Sequence, residues 1–236
     1  MIKIDLHTHS LISGHAINTV YELASEASKR GISYLGITEH GPAMKGAPHE
    51  DYFWVSEQIA ILYDVNILLG IEANILNVNG EIDLREDLLI KQKVVSAGLH
   101  DKTPYKGLNV RDNTESIINA MQNPRIKIIT HPFRPEFPVE MKKIARCSYE
   151  TGTLLEINNQ LFSRNINELK ILVKNYGIMV SECKKYGIPL IFGSDAHVAS
   201  KIGDFTKILS LSKSLGLCEE MIINYDEVTL LKILKE

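Results

Sequence analysis

The chain has 236 residues, 44% apolar and 23% charged, and a formal net charge of -3. That is ordinary globular usage, enough for one α/β-barrel-sized domain over residues 1–236, and the mild acidity disfavours a broad nucleic-acid surface. No run approaches the roughly 20 apolar residues of a membrane span, Lys3 and Asp5 interrupt the first apolar stretch so that no signal-peptide core is expected, and Cys147, Cys183 and Cys218 lack a CxxC and fit reduced, semi-buried thiols in helical patterns of a cytoplasmic protein.

Short apolar runs recur along the chain, and each stops at a chemically distinctive residue. Ile2-Lys3-Ile4-Asp5-Leu6 leads to His7 and His9. A helical pattern from Asn18 to Arg30 follows, stopped by Gly31. Tyr34 to Thr38 leads through Glu39 to His40, and Glu50 to Tyr63 reads as a helix. Ile67 to Ile71 ends in Glu72, and the Asn79-Gly80 pair beyond it predicts a small hairpin. Val94 to Leu99 ends in His100, ahead of a helix around Asp112–Gln122. Ile126 to Thr130 ends in His131, ahead of a helix over Val139–Thr151. Thr153 to Ile157 carries Glu156 and ends in Asn158-Asn159, ahead of a helix over Ile166–Tyr186. Ile188 to Ser194 ends in Asp195-Ala196-His197, and helices over Lys201–Leu215 and Asp226–Lys235 close the series.

Apolar runs of this length read as buried parallel strands. Seven strand–helix units predict a (β/α)7 TIM-like barrel with its site at the carboxyl ends of the strands. A doubly wound open sheet would gather ligands at one switch point instead. His7-Thr8-His9 and Asp195-Ala196-His197 each place two donors on one face of an extended chain. Imidazoles and carboxylates converging on one rim predict a metal centre with more than one ion. His15 lies in the loop after the first strand, where a histidine standing alone reads as exposed. His49 lies farther from its strand and is a candidate substrate contact.

The same residues, in order, resemble the PHP (polymerase and histidinol phosphatase) superfamily. Asp5-Leu6-His7-Thr8-His9 resembles its first motif and Ile37-Thr38-Glu39-His40 its second. Gly70 to Asn74, Ala97 to His100, His131-Pro132, Glu156 to Asn159 and Gly193 to His197 supply the rest. Gly41-Pro42, Ala47-Pro48-His49 and the 74–83 segment look most like the YcdX-type stand-alone phosphatases. Glu39 stands where the family usually has Asp, at a position that is not a ligand. Phe133 stands where Gly usually follows His-Pro. The resemblance implies a distorted (β/α)7 TIM-like barrel that holds three ions. His7, His9, Glu72 and Asp195 would bind the first, Glu72, His100 and His131 the second, and His15, His40 and His197 the third. It also implies a metal-dependent hydrolase of phosphate monoesters that uses a shared hydroxide.

Three divalent ions against two carboxylates leave a core of about +4, which favours an oxyanion substrate. Three Zn2+ ions per chain are expected, with Mn2+ or Fe also compatible with these donors. Glu72, Asp195 and His197 are the residues expected to carry the chemistry. Arg134, His49 and Asn158 are candidate substrate contacts, with Arg164 and Lys45 as further rim cations; Lys45 reads as simply solvated. Ser10, Ser13 and Ser194 lack a spare histidine base and read as structural. The partner is a small phosphorylated substrate, with no membrane and with nucleic acid disfavoured; the sequence leaves a homo-oligomer open. A PHP-type exonuclease, an amidohydrolase-like hydrolase and a non-catalytic metal-binding module are the rival readings. The joint presence of His15, His40 and His197 argues against the second.

Overall fold

The computed structural model describes residues 2–55, 59–107 and 109–235. Its elements in chain order are β1 (Ile4–Thr8), α1 (Val20–Lys29), β2 (Tyr34–His40), β3 (Ile61–Leu62), β4 (Val65–Asn74), α2 (Glu86–Leu89), β5 (Val94–Gly98), α3 (Val110–Ala120), β6 (Ile128–Ile129), α4 (Met141–Thr151), β7 (Leu154–Asn158), α5 (Ile166–Tyr186), β8 (Leu190–Gly193), α6 (Thr206–Leu215) and α7 (Glu227–Lys235). Seven strands pair in parallel in the order β1-β2-β4-β5-β6-β7-β8, and β3 pairs antiparallel to β4 at the edge. The barrel closes where Thr8 bridges Ala196, with His9 N–H donating to the Ala196 carbonyl at 2.9 Å. This is the predicted (β/α)7 TIM-like barrel, distorted by a shift of register between Asp5 and Thr8.

The two ends of the barrel differ in chemistry. At the amino ends of the strands, Ile4 and Leu6, Val94, Ile128, Leu154 and Ile191 form one apolar cluster. Ile223 and Leu230 close it from below, so α7 plugs the bottom of the barrel. Outside, α3, α4 and α5 pack on the strands in the largest apolar cluster. Leu23, Ala24 and Ala27 of α1 cover β2 and β4 in a second one. Burial of these stripes supplies the main drive to fold.

Side chains complete the join between β1 and β8. Buried Asn224 donates from Nδ2 to the carbonyls of Ile4 and Phe192, each at 3.0 Å, and accepts from Phe192 N–H at 2.7 Å. Asp5 accepts from Ser194 N–H at 3.2 Å and Gly203 N–H at 2.8 Å. One amide side chain thus replaces a piece of missing strand ladder. Asn224→Ala leaves these backbone groups without partners and is expected to cost about 3 kcal/mol. That corresponds to a drop in Tm of roughly 6–12 °C for a chain of this size. Thermal unfolding followed by circular dichroism checks it, and an unchanged Tm refutes the closing role.

Several sequence expectations need correction. The helix expected over Glu50–Tyr63 is only a 3-10 turn over Glu50–Trp54; residues 56–58 lie outside the described residues, and Ile61-Leu62 is a strand. Tyr63 and Asp64, at φ 51° and 63°, make the tight turn that folds β3 onto β4. The helix expected from Lys201 begins at Thr206, because Gly203 at φ 63° breaks the run. Cys147 and Cys183 are buried in helices, but Cys218 is exposed and lies outside one. The hairpin expected at Asn79-Gly80 is present, with Ile75 bridging Ile82. Among the described residues no helix is long and apolar enough to cross a membrane.

Candidate metal centre

Every strand except β3 delivers a polar group to one end of the barrel. His7 lies in β1 and His9 just beyond it; His40 is the last residue of β2. Glu72 lies in β4, in register with His40. His100, His131 and Asp195 each stand two residues past a strand end, after β5, β6 and β8. His131 and Asp195 have φ of 29° and 55°, a left-handed backbone that turns their side chains back over the barrel mouth. Such strain in non-glycine residues persists where the surroundings enforce it. Here Glu156 Oε2 accepts the His131 N–H at 2.7 Å.

Glu72 is the geometric centre. Its carboxylate is fully buried and lies 2.9 Å from His40 Nδ1, 2.9 Å from His131 Nε2 and 3.0 Å from His100 Nε2. His7 Nε2 stands 3.3 Å from it and His9 Nε2 3.5 Å. Asp195 faces His9 Nε2 at 3.4 Å and His7 Nε2 at 3.6 Å. Nε2 of His7, Nε2 of His9, Nδ1 of His40 and Oε2 of Glu72 are buried with no hydrogen-bond partner among the described residues. Buried polar atoms are rarely left so. Three sets of donors could each hold an ion: His7, His9 and Asp195; His40, Glu72 and His100; and His9, His40 and His197.

Four of the rings are tied down on their outer faces, whereas Nδ1 of His100 and Nδ1 of His131 are buried with no hydrogen-bond partner among the described residues. His7 Nδ1 lies 2.5 Å from Glu156, His9 Nδ1 3.1 Å from the Ser13 hydroxyl, His15 Nδ1 3.1 Å from the Ser13 carbonyl and His197 Nδ1 3.0 Å from the Asp195 carbonyl. A carbonyl can only accept, so His15 and His197 carry hydrogen on Nδ1. Their Nε2 atoms then face each other at 2.9 Å. In neutral rings both are lone pairs, and only a shared cation makes that approach favourable. This second layer of hydrogen bonds is what ligating imidazoles require.

Proton affinities follow the same arrangement. Burial, reinforced by His40, holds His9 well below the usual histidine range. Burial together with His40 and His197 brings His15 down to about 4. Burial also lowers His100. These rings are neutral, hence in ligand form, near pH 7. Burial opposes charge on His7, but Glu156, Glu72 and Asp195 outweigh it and raise that ring well above its usual value. Burial opposes charge on Glu72 as well, yet His7, His100 and His40 hold it well below the carboxylate range.

A cavity of about 520 Å3 opens over this floor. His15, His40, Glu72, His100, His131, Asp195 and His197 line it, with Lys102, Arg134 and Arg164 on the wall. Arg134 pairs with Asp101 at 3.2 Å, and Glu136 holds Arg164 at 2.5 Å and Arg134 at 3.7 Å. His7 and His9 sit beneath. Two residues expected to touch substrate stand elsewhere. His49 is exposed and accepts from Asp51 N–H at the start of the Glu50–Trp54 turn. Asn158 is fully buried and donates to Glu156 and Asp195, each at 3.2 Å, so it braces ligands from below. Glu156 has a task here that its sequence motif alone does not assign, accepting the His131 N–H and facing His7 Nδ1. The signal was there: an acidic residue inside the apolar run of β7 needs a buried partner. Lys102 and Gln160, also on the wall, carried no such signal.

Residues 5–166 match the family model of the PHP domain, and residues 180–212 match that of a PHP-associated segment. A protein of Clostridium novyi named "Probable phosphatase" is 40% identical over 234 residues, covering 98% of this chain and 94% of that one. A protein of Acetivibrio thermocellus with the same name is 38% identical over 223 residues, covering 94% and 90%. Among solved structures, histidinol phosphate phosphatase from Lactococcus lactis, complexed with zinc, L-histidinol and phosphate, shares the fold at a TM-score of 0.63 and 18% identity, covering 92% of this chain and 95% of that one.

Proposed function

Because this chain belongs to the PHP domain family, we propose that it is a metal-dependent phosphatase that hydrolyses phosphate monoesters at a centre of three ions. The observation that carries the reading is Glu72, one buried carboxylate faced by five imidazoles at the floor of an open cavity. His7, His9, Glu72 and Asp195 would hold the first ion, Glu72, His100 and His131 the second, and His15, His40 and His197 the third. Similar proteins named as phosphatases and a zinc-bound structural neighbour support it. When bound, the ions supply an ionised water as nucleophile and neutralise charge on the phosphoryl group.

The protein's own residues do the rest. Glu72 and Asp195 would hold the ions without neutralising them, so a loaded floor would stay positive even with Glu156 beneath. Arg134 and Arg164 stand on the wall, where they contact the phosphate or the group that bears it. Their ion pairs to Glu136 keep them extended towards the cavity. A cavity of this size suits a small ester.

Protein loaded with zinc or manganese is expected to release phosphate from monoesters, to lose turnover to a chelator and to regain it on metal addition. Inorganic phosphate should inhibit competitively. The discriminating assay offers the loaded protein monoesters, phosphodiesters, single-stranded DNA and lactone or amide substrates side by side. Turnover confined to DNA or to lactones and amides refutes the monoester reading.

A further inference from the structure

Ser13 and Glu39 are buried polar residues with no part in the chemistry above, and neither lines the cavity. Glu39 precedes His40 in β2. Its carboxylate accepts from Ser10 N–H at 3.2 Å to each oxygen, from the Ser10 hydroxyl, and from the Ser13 hydroxyl at 2.5 Å. The Ser13 hydroxyl also accepts the His40 N–H at 3.1 Å and lies 3.1 Å from His9 Nδ1. The carbonyl of the same serine faces His15 Nδ1 at 3.1 Å. One residue therefore touches three of the seven histidines of the centre.

Counting protons fixes the roles. A hydroxyl has one hydrogen and two acceptor lone pairs. With Glu39 as a carboxylate, the hydrogen between it and Ser13 belongs to Ser13. One lone pair of Ser13 takes the His40 N–H. The other faces His9, so His9 Nδ1 must bring a hydrogen. His9 is then fixed with Nδ1 protonated and its Nε2 lone pair directed at Glu72 and Asp195. The backbone is shaped to allow this. Leu11–Ser13 form a 3-10 turn started by Ser10, and Gly14 ends it at φ 82°. A Cβ at Gly14 would meet the Gly46 carbonyl oxygen at 2.0 Å.

We propose that Ser13 and Glu39 are positioning residues that lock His9 and His15 with hydrogen on Nδ1 and hold the 10–16 segment in place, so that both rings present Nε2 to the metal centre. The inference rests on the metal-centre part of the proposed function and not on the phosphatase chemistry. It also gives Glu39, which is not a ligand, a physical task.

The test reads ring tautomers and metal affinity instead of turnover. Long-range 1H–15N spectra of the full chain after chelation report which nitrogen of His9 carries hydrogen; zinc titration of the same samples reports affinity. The unaltered protein should show His9 protonated on Nδ1 alone. Ser13→Ala should raise the Nε2-protonated population and weaken zinc binding by roughly 10–100-fold, the usual scale for losing a partner behind a ligand. Glu39→Gln keeps the volume and should act in the same direction, and it answers the question if Ser13→Ala does not fold. Tautomer and affinity unchanged in a folded variant overturn the proposal. Tautomer and affinity shifts in a protein that hydrolyses no phosphate ester uphold it and refute the phosphatase reading alone.

Discussion

Glu72→Gln is expected to lower kcat on phosphate monoesters by about 10^2–10^3-fold, the scale of losing one preorganised electrostatic group, and to reduce bound zinc. The amide has nearly the same shape but no charge, and one of its two ends can no longer act as a ligand. Among the described residues none can substitute, because only Glu72 of these faces His7, His9, His40, His100 and His131 together. Arg134→Ala is the contrast. Arg134 stands on the wall and already shares its charge with Asp101 and Glu136. Its loss should raise KM more than it lowers kcat. Steady-state kinetics with elemental analysis of the same samples check both. Near-native turnover by Glu72→Gln at full metal content would refute the bridging role.

Glu156→Ala should weaken zinc binding by about 10–100-fold, although Glu156 lies behind the proposed ligands. Its two oxygens serve two ligand-bearing strands at once, at His7 Nδ1 and at the His131 N–H. Removing it frees the His7 ring to rotate. It also orphans a buried N–H on a residue already held at φ 29°, at a cost of about 1–3 kcal/mol. A second substitution reaches the same carboxylate from another direction. A Cβ at Gly193 would stand 1.8 Å from Glu156 Oε1, so Gly193→Ala must displace it. The two variants should lose zinc affinity together in a calorimetric titration. Full affinity in both would show that Glu156 merely fills space.

Much of the architecture was legible because burial writes itself into composition. β4, β5, β7 and β8 are nearly unbroken apolar runs, and α5 spans the expected Ile166–Tyr186, with Asn165 capping its start and Gly187 ending it. The candidate site was legible in the same way, because His7, His40, Glu72, His100, His131 and Asp195 each end or follow such a run, whereas His15 lies in a loop. The failures have a common cause. β3 is only two residues long and forms through partnership with β4, which no local pattern encodes. His49 follows Pro48 in a promising segment, but its ring turns outward to start a 3-10 turn. Asn158 alternates inward with Glu156, and only the closed barrel reveals that it faces Asp195 and not the cavity.

The join between β1 and β8 has a consequence for motion. β2 and β4 pair continuously from Tyr34 with Asn66 to His40 with Glu72. The closing edge has instead an isolated bridge, Asn224 and Asp5. A barrel breathes where its ladder is thinnest, so amides along this edge should exchange with solvent ahead of those in β4. The edge also runs through the site, with His7 and His9 on one bank and Asp195 and His197 on the other. Any cation held by both banks is therefore a rivet as well as a reagent, and the protection it gives should be greatest at the line where the barrel would otherwise unzip.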